Sequence, residues 1–211
     1  MTRMNRRTLL GLLAAFPAIA QAQPRFEPTP RDRTDMARVE TYLDSLRTMK
    51  AHFFQVAPNS AISQGTVWLD RPGRMRFQYE PPSPLLLVAG HGLVVFHDKS
   101  LNQTTNIPIG QTPLGILLAD RVQLGGDVTV TGMQHLPGQV QLSLVRTASP
   151  GDGTLTLIFA DSPLVLRQWI VTDAQRQQTT VTLTNLEMGG QFDQKLFQFI
   201  DPRIFQPGTN G

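Results

Sequence analysis

The side chains of this sequence that could do chemistry are four separate histidines and 16 scattered carboxylates. Zinc binding and general-base catalysis need such groups at fixed spacing, as in His-Glu-x-x-His on one helix face. No pair among His52, His91, His97 and His135 has that spacing, and no two acids share a strand face as the carboxylates of glycoside hydrolases would. Cysteine is absent, which excludes thiolate nucleophiles, cysteine metal ligands and disulfides. We therefore predict a protein that is not an enzyme and has no metal or cofactor.

One arginine stands at a defined corner. Arg71 belongs to the segment WLDRPGRMRFQYEPP (68–82), which predicts two strands around a tight Arg-Pro-Gly turn. After the turn, Met75, Phe77 and Tyr79 alternate with polar residues, the period-two pattern of a half-buried strand. The residues alone leave two interpretations open for Arg71: an ordinary solvated turn residue, or a side chain directed at a specific partner.

The first 22 residues are typical of a secretory signal peptide. The basic stretch MTRMNRR precedes an apolar run, TLLGLLAAFPAIA, which is shorter than the roughly 20 residues that a membrane-spanning helix needs. Small residues allow cleavage after Ala20 or Ala22. The pair Arg6 and Arg7 also fits a twin-arginine signal, so both the Sec and the twin-arginine export routes stay open.

Removal of the signal changes the charge of the protein. The chain has 19 basic and 16 acidic residues, and three of the basic ones, Arg3, Arg6 and Arg7, lie in the signal. The exported chain is then formally neutral, with no basic stripe for nucleic acid and no polybasic block for anionic lipid. Its length predicts a single domain at residues 32–211, preceded by an extended, proline-rich leader at residues 23–31.

An amphipathic helix is predicted after the leader. Asp32 or Thr34 is its predicted N-cap, with acidic residues early and basic residues late. Its apolar positions recur at steps of three and four: Met36, Val39, Leu43 and Leu46.

From residue 51 onward the sequence consists of short apolar or alternating runs separated by turn signals, ending with KLFQFID (195–201). Their hairpin spacing predicts about eleven antiparallel strands in a large sheet or barrel. The segment GQTPLGILLADR (110–121) interrupts them and predicts a short helix, with Thr112 as N-cap and Pro113 at its first position. Because this helix is apolar nearly all round, it must be buried, either as a lid across a barrel mouth or as a plug in an ordinary core. An incomplete barrel lined by Phe, Met and Leu would suit acyl chains.

In this order, the segments resemble the LolA family, periplasmic carriers of outer-membrane lipoproteins. The resemblance runs from about Val39 to Pro202 and rests on the W-x-x-R-P corner, the T-P start of the lid helix and the terminal F-x-F-x-x-P. It differs from the usual family pattern at His91-Gly92 and at Met75, where an aromatic is more usual. The family implies a mainly β fold with helices, an unclosed antiparallel β-barrel of about eleven strands with an α-helical lid over a hydrophobic cavity.

The resemblance also implies roles for residues. Arg71 would be a lid latch, holding the lid closed through hydrogen bonds to backbone carbonyls. The residues expected to line the acyl cavity are Met75, Phe77, Tyr79, Trp68, Leu114, Ile116 and Leu117.

The partners that the resemblance implies are triacylated lipoproteins, an inner-membrane lipoprotein-releasing ABC transporter and, where present, an outer-membrane receptor. We expect a periplasmic monomer that binds no nucleic acid. Two rival functions use the same fold: a periplasmic sensor of lipid or lipoprotein, and a carrier of another lipid.

Overall fold

The structure, a computed structural model, describes residues 26–201. The predicted signal peptide at residues 1–22, the first part of the leader and residues 202–211 lie outside the described residues. Within residues 26–201, no helix is both long and apolar enough to pass through a membrane.

Helix α1 spans Pro30–Ser45 and begins inside the predicted leader. Its N-cap is Thr29, so the predicted caps Asp32 and Thr34 are wrong. The Asp32 amide donates to the Thr29 hydroxyl at 3.2 Å, and the Thr29 amide donates to the Asp32 carboxylate at 2.8 Å. This reciprocal capping box satisfies two backbone donors. Pro30 suits the first helical position because its missing N–H would have no helical partner there.

Eleven antiparallel strands form one sheet, in the order β6-β5-β4-β3-β2-β1-β11-β10-β9-β8-β7. Their bounds are β1 Thr48–Val56, β2 Ile62–Asp70, β3 Arg74–Tyr79, β4 Leu85–Gly90, β5 Leu93–Asp98, β6 Gln103–Pro108, β7 Val128–Leu136, β8 Gln139–Arg146, β9 Gly153–Ala160, β10 Val165–Asp173 and β11 Gln178–Met188. Two meanders, β1 to β6 and β7 to β11, join where β1 pairs with β11. In the described part of the chain β6 and β7 are the two ends of the sheet, so the predicted unclosed, mainly β fold is confirmed.

The sheet curls strongly around its inner face. Phe77 on β3 and Trp169 on β10 are four strand spacings apart in the sheet order, which is about 19 Å on a flat sheet. Their ring centroids nevertheless lie only 6.1 Å apart, edge to face. The inner faces of the two meanders therefore face each other, as in a barrel.

The lid segment is less helical than predicted. After a 3-10 turn at Ile109–Gln111, helix α2 covers only Leu114–Leu117, instead of most of residues 110–121. The N-cap of α2 is Pro113, not Thr112. The hydroxyl of Thr112 still accepts a hydrogen bond from the Gly115 amide at 3.3 Å, because the preceding 3-10 turn places it there.

The prediction of a last strand at KLFQFID is also wrong. Residues Gln194–Phe197 form a 3-10 helix, and we call residues 194–199 the outer strap because they cover the outer face of β3 to β5. Arg76 donates to the Leu196 carbonyl at 3.1 Å, and the Phe199 ring lies 5.2 Å from the His97 ring. The alternating apolar residues of the strap thus pack on a sheet face without joining the sheet. A further 3-10 helix, Pro150–Asp152, connects β8 to β9.

Candidate functional site: a lidded apolar interior

Arg71 is buried at the turn between β2 and β3, with only 3% of its surface exposed. The tight turn depends on Gly73, whose φ of 74° suits glycine. The Arg71 amide donates to the Arg47 carbonyl at 2.8 Å, which ties the corner to the connection between α1 and β1. The side chain is therefore held inside the molecule, which excludes the solvated-turn interpretation of Arg71.

The corner binds three successive carbonyls of the lid segment. The Gly73 amide donates to the Leu118 carbonyl at 2.8 Å. The Arg71 side chain donates from Nε to the Ala119 carbonyl at 2.7 Å and from Nη2 to the Asp120 carbonyl at 3.2 Å. These contacts fasten the C-terminal end of the lid to the barrel wall.

The same guanidinium reaches the C-terminal end of α1. Its Nη1 donates to the carbonyls of Leu43 and Leu46, the latter at 3.3 Å. Carbonyls in the last turn of a helix lack helical donors and carry a partial negative charge, so they suit a cation. One arginine therefore links three elements: the corner, the lid and α1.

Burial has a cost for this cation. Desolvation, followed by repulsion from the nearby Arg47 charge, lowers the pKa of Arg71, while the carboxylates of Asp44 and Asp120 act in the opposite direction. Arginine nevertheless stays protonated in proteins. The site thus holds a charged donor in a poorly solvated place, where hydrogen bonds to carbonyls are at their strongest.

The alternating residues of β3 point into the barrel. Met75, Phe77 and Tyr79 are all buried in one continuous apolar cluster. Phe77 packs edge to face on Phe53, with ring centroids 4.8 Å apart. The Tyr79 hydroxyl donates to Gln55 Oε1 at 2.9 Å. Burial raises the pKa of Tyr79 to about 12, and this hydrogen bond opposes the shift.

The lid supplies apolar residues to the same cluster. Leu114, Ile116 and Leu117 are buried, as is the following Leu118. A four-residue helix cannot be stable on its own, so its packing on the interior holds it in place. The lid side chains thus belong to the same buried cluster as the inward-facing residues of β3.

Trp68 does not belong to this interior. On β2, Val67 and Leu69 are fully buried and face inward, whereas Trp68 is half-buried and lies opposite Arg76 on the outer face. The assignment of Trp68 to the acyl cavity is therefore wrong. Side chains on a strand alternate between the two faces, so Trp68 cannot share a face with its buried neighbours.

Interior residues that the sequence analysis did not single out come mainly from the second meander. Trp169 on β10, Phe159 on β9 and Phe53 on β1 are almost fully buried in the interior cluster. Each belongs to an alternating run, so its side of the strand was predictable. The sequence does not predict which of the two faces is the interior one, because that depends on the strand pairing.

A polar clasp holds the start of α1 to the other meander. Asp35 accepts from Arg38 at 2.6 Å, and His135 Nε2 on β7 lies 2.9 Å from the Asp35 carboxylate. Arg38 also donates to the Asp161 carboxylate at 3.0 Å. Burial raises the pKa of Asp35, but the hydrogen bonds from Arg38 and His135 lower it overall. No sequence pattern pairs position 35 with position 135, so this contact could not be predicted.

The histidines and acids form no metal centre. Within residues 26–201, no group of three or more His, Asp or Glu side chains is arranged to hold a metal ion. His97 is buried on the outer face, where its Nδ1 lies 3.0 Å from the Thr104 hydroxyl.

The fold and the site together define a class of protein: an unclosed β-barrel whose apolar interior is packed against segment 110–121, which the Arg71 corner holds in place. Comparison with known proteins then identifies the family. The sequence matches the family described as "Outer membrane lipoprotein carrier protein LolA" over residues 44–200. An outer-membrane lipoprotein carrier protein of Methylococcus capsulatus is 31% identical over 180 residues, covering 81% of this chain and 86% of that protein.

Another such carrier protein, from Legionella pneumophila, is 28% identical over 181 residues, covering 81% of this chain and 88% of its own length. Among solved structures, a LolA superfamily protein of Nitrosomonas europaea aligns with 12% identity and a TM-score of 0.43, covering 78% of this chain and 97% of that chain. On the family match and the Methylococcus relative, this chain belongs to the LolA family of outer-membrane lipoprotein carrier proteins, as its motifs predicted. Proteins of this family are periplasmic carriers.

Proposed function

We propose that this protein binds lipoprotein acyl chains in the interior of its barrel and carries them across the periplasm. The observation that supports this most is a continuous apolar interior beneath a lid that is fastened by hydrogen bonds to backbone carbonyls. The proposed cargo is triacylated lipoprotein. It would be received from an inner-membrane lipoprotein-releasing ABC transporter and passed to an outer-membrane receptor where one exists.

The proposed acyl site consists of inward-facing residues of β3 and of the lid. They are Met75, Phe77, Tyr79, Leu114, Ile116 and Leu117. Because these side chains pack in one buried cluster, an acyl chain has to displace them. The lid must therefore open. Its apolar side chains would then contact the acyl chain instead of the side chains on which they pack in the closed state.

The energies involved permit this exchange. Each buried methylene contributes about 0.8 kcal/mol, so ten methylenes supply roughly 8 kcal/mol. A hydrogen bond from a charged donor contributes about 1.5–3 kcal/mol, and Arg71 makes two such bonds to the lid. Acyl burial therefore exceeds the cost of breaking these two bonds, and that cost makes binding weaker and release easier. In this proposal Arg71 is the latch, and no nucleotide is needed on the carrier.

The acyl site is tested by placing a charge inside it. Phe77→Glu puts a carboxylate in the interior, which disfavours an acyl chain, so binding of a triacylated lipopeptide should be lost. Gln78→Glu is the matched control, because Gln78 is the next residue of β3 and faces outward. Thermal unfolding checks that both variants are folded. Equal lipopeptide binding by folded Phe77→Glu and wild type would contradict the site.

The cargo is tested by native mass spectrometry of the protein purified from the periplasm. Bound triacylated lipoprotein supports the proposed function. Bound free lipid would indicate a carrier of another lipid, and an empty protein in complex with a membrane regulator would indicate a sensor.

A further inference from the structure

A second arginine reaches the lid from a different part of the chain. Arg47 lies in the connection between α1 and β1, and its Nη1 donates to the Asp120 carbonyl at 2.7 Å. Its Nη2 donates to the Asp120 carboxylate at 2.8 Å. The same carbonyl accepts from Arg71 at 3.2 Å. Two arginines from two connections thus meet on one lid residue.

The two arginines differ in their access to solvent. The side chains of Arg47 and Asp120 are 49% and 65% exposed, whereas Arg71 is 3% exposed. Salt screens exposed ion pairs strongly and buried ones much less. The two attachments of the lid should therefore respond differently to ions in solution.

The Asp120 carboxylate also balances the local charge. Arg47 lies close enough to Arg71 that their like charges repel, and this repulsion is the second cause, after burial, that lowers the pKa of Arg71. The hydrogen bond from Arg47 is in turn the main cause that lowers the pKa of Asp120. The negative charge of Asp120 thus attracts the lid towards the cations Arg47 and Arg71.

We propose that Arg47 and Asp120 form a second latch on the lid, one that is open to solvent and weakened by salt. It holds the lid in addition to Arg71 and sets how often the lid loosens in a given ionic environment. The inference rests on the proposed function only because a lid has a role if the interior binds an acyl chain. The latch itself can be measured without any lipid.

The measurement is amide hydrogen exchange of the lid, recorded by NMR on the folded protein with no lipid present. The amides of Ile116 and Leu118 are protected by hydrogen bonds to Pro113 and Leu114, so their exchange reports lid opening. When ionic strength rises from about 0.01 M to about 0.15 M, the screening length falls from about 30 Å to about 8 Å. Their exchange in wild type should then rise by about 1.5- to 5-fold, the range measured for exposed ion pairs.

Two variants remove the latch by different routes. Arg47→Gln removes the cation, and Asp120→Asn removes the carboxylate and with it the ion pair, but keeps the backbone carbonyl for both arginines. Both should show the faster exchange already at low salt, and neither should respond to added salt. Arg121→Gln is the control: it removes an equal charge from the next residue, whose side chain has no hydrogen bond or ion pair described within residues 26–201 and acts on Asp120 through its charge alone. That variant should keep the wild-type salt response.

Two results would overturn the second latch: lid exchange in Arg47→Gln that equals wild type at every salt concentration, or the same change in Arg121→Gln as in Arg47→Gln. The lipopeptide assay decides separately on the proposed function. A protein that binds no lipopeptide fails as a carrier, whereas its lid exchange still decides whether Arg47 and Asp120 hold the lid.

Discussion

Replacing the buried arginine of the corner should make the carrier hold its guest too tightly. In Arg71→Leu the lid loses two hydrogen bonds and α1 loses the donor to the Leu43 and Leu46 carbonyls. The bonds to α1 are lost from the open and the closed state alike, whereas the two bonds to the lid exist only in the closed state. Their loss therefore destabilises the closed, empty state relative to the open, loaded state. We expect tighter binding and slower release of a triacylated lipopeptide.

The size of the effect follows from the individual bonds. The Asp120 carbonyl keeps Arg47 as a donor at 2.7 Å, so of the two lid carbonyls that Arg71 binds only the Ala119 oxygen loses the partner described for it. One hydrogen bond from a charged donor contributes about 1.5–3 kcal/mol. Since 1.36 kcal/mol corresponds to a factor of ten, closure of the lid weakens by roughly 10- to 150-fold. If the lid must open before binding, the dissociation constant of the lipopeptide falls by up to that factor.

The assay is fluorescence anisotropy of a labelled triacylated lipopeptide, with the release rate measured by competition. Arg121→Leu serves as the control, because it also replaces an arginine near the lid end with leucine but removes no described hydrogen bond. A buried carbonyl that loses its partner costs about 1–3 kcal/mol of stability. Thermal unfolding is therefore used to check that Arg71→Leu is folded. A folded Arg71→Leu with wild-type affinity and release rate would refute the latch.

Three further predictions concern the lid, the clasp and the interior. Gly115→Ala should loosen the lid and speed its amide exchange, because the added Cβ would lie 2.4 Å from the Ile109 carbonyl oxygen, whereas Gly125→Ala adds a Cβ in open space and should change nothing. Because the pKa of Asp35 is lowered in the folded protein, its contribution to stability is present above the unfolded value near 3.9 and is lost as pH falls through the folded value. Urea unfolding of Asp35→Asn should therefore lose part of the acid-side pH dependence that wild type shows; an unchanged dependence would contradict the clasp. Because the pKa of Tyr79 is raised to about 12, native protein should retain this proton where unfolded chain loses it near 10, so stability falls from about pH 10 upward. Ultraviolet titration of the native protein checks this, and a tyrosinate signal from Tyr79 near pH 10 would disprove it.

Much of the fold follows from local patterns. Period-two alternation locates the strands, and the turn signals between them give the hairpin order of both meanders. The pattern also places Met75, Phe77 and Tyr79 on one face of β3, where the structure has them. Such patterns report which residues share a face, and hairpins pair strands that follow one another in the chain.

The errors have physical causes too. Trp68 is expected in the interior on the resemblance, although its neighbours Val67 and Leu69 occupy the inner face of β2. KLFQFID alternates like a strand, but Phe197 and Phe199 pack on the outer face without joining the sheet, and Ile200 is exposed. The cap at Thr29 is visible in the sequence as a Thr-x-x-Asp capping signal, three residues before the predicted cap Asp32.

The contacts of Arg71 could not be deduced from the residues. Its partners are backbone carbonyls, which every residue carries, so no side-chain type in the sequence marks them. Only the three-dimensional path of the chain brings Leu43 and Ala119 to the same guanidinium. The family resemblance supplied the lid contact as an expectation, and the link to α1 came from the structure alone.

The outer strap has a mechanical consequence for how the barrel can enlarge. It covers the outer face of β3 to β5 and is anchored there by Arg76 and by the nearly fully buried Phe197. This stretch of wall is thus supported on both sides and cannot bend outward without breaking one set of contacts. The edge strand β6, in contrast, is exposed along most of its length, and the lid is fastened at its C-terminal end. If the barrel admits a guest as proposed, we expect the space to come from the lid and the β6 edge, with β3 as the supported wall on which the guest lies.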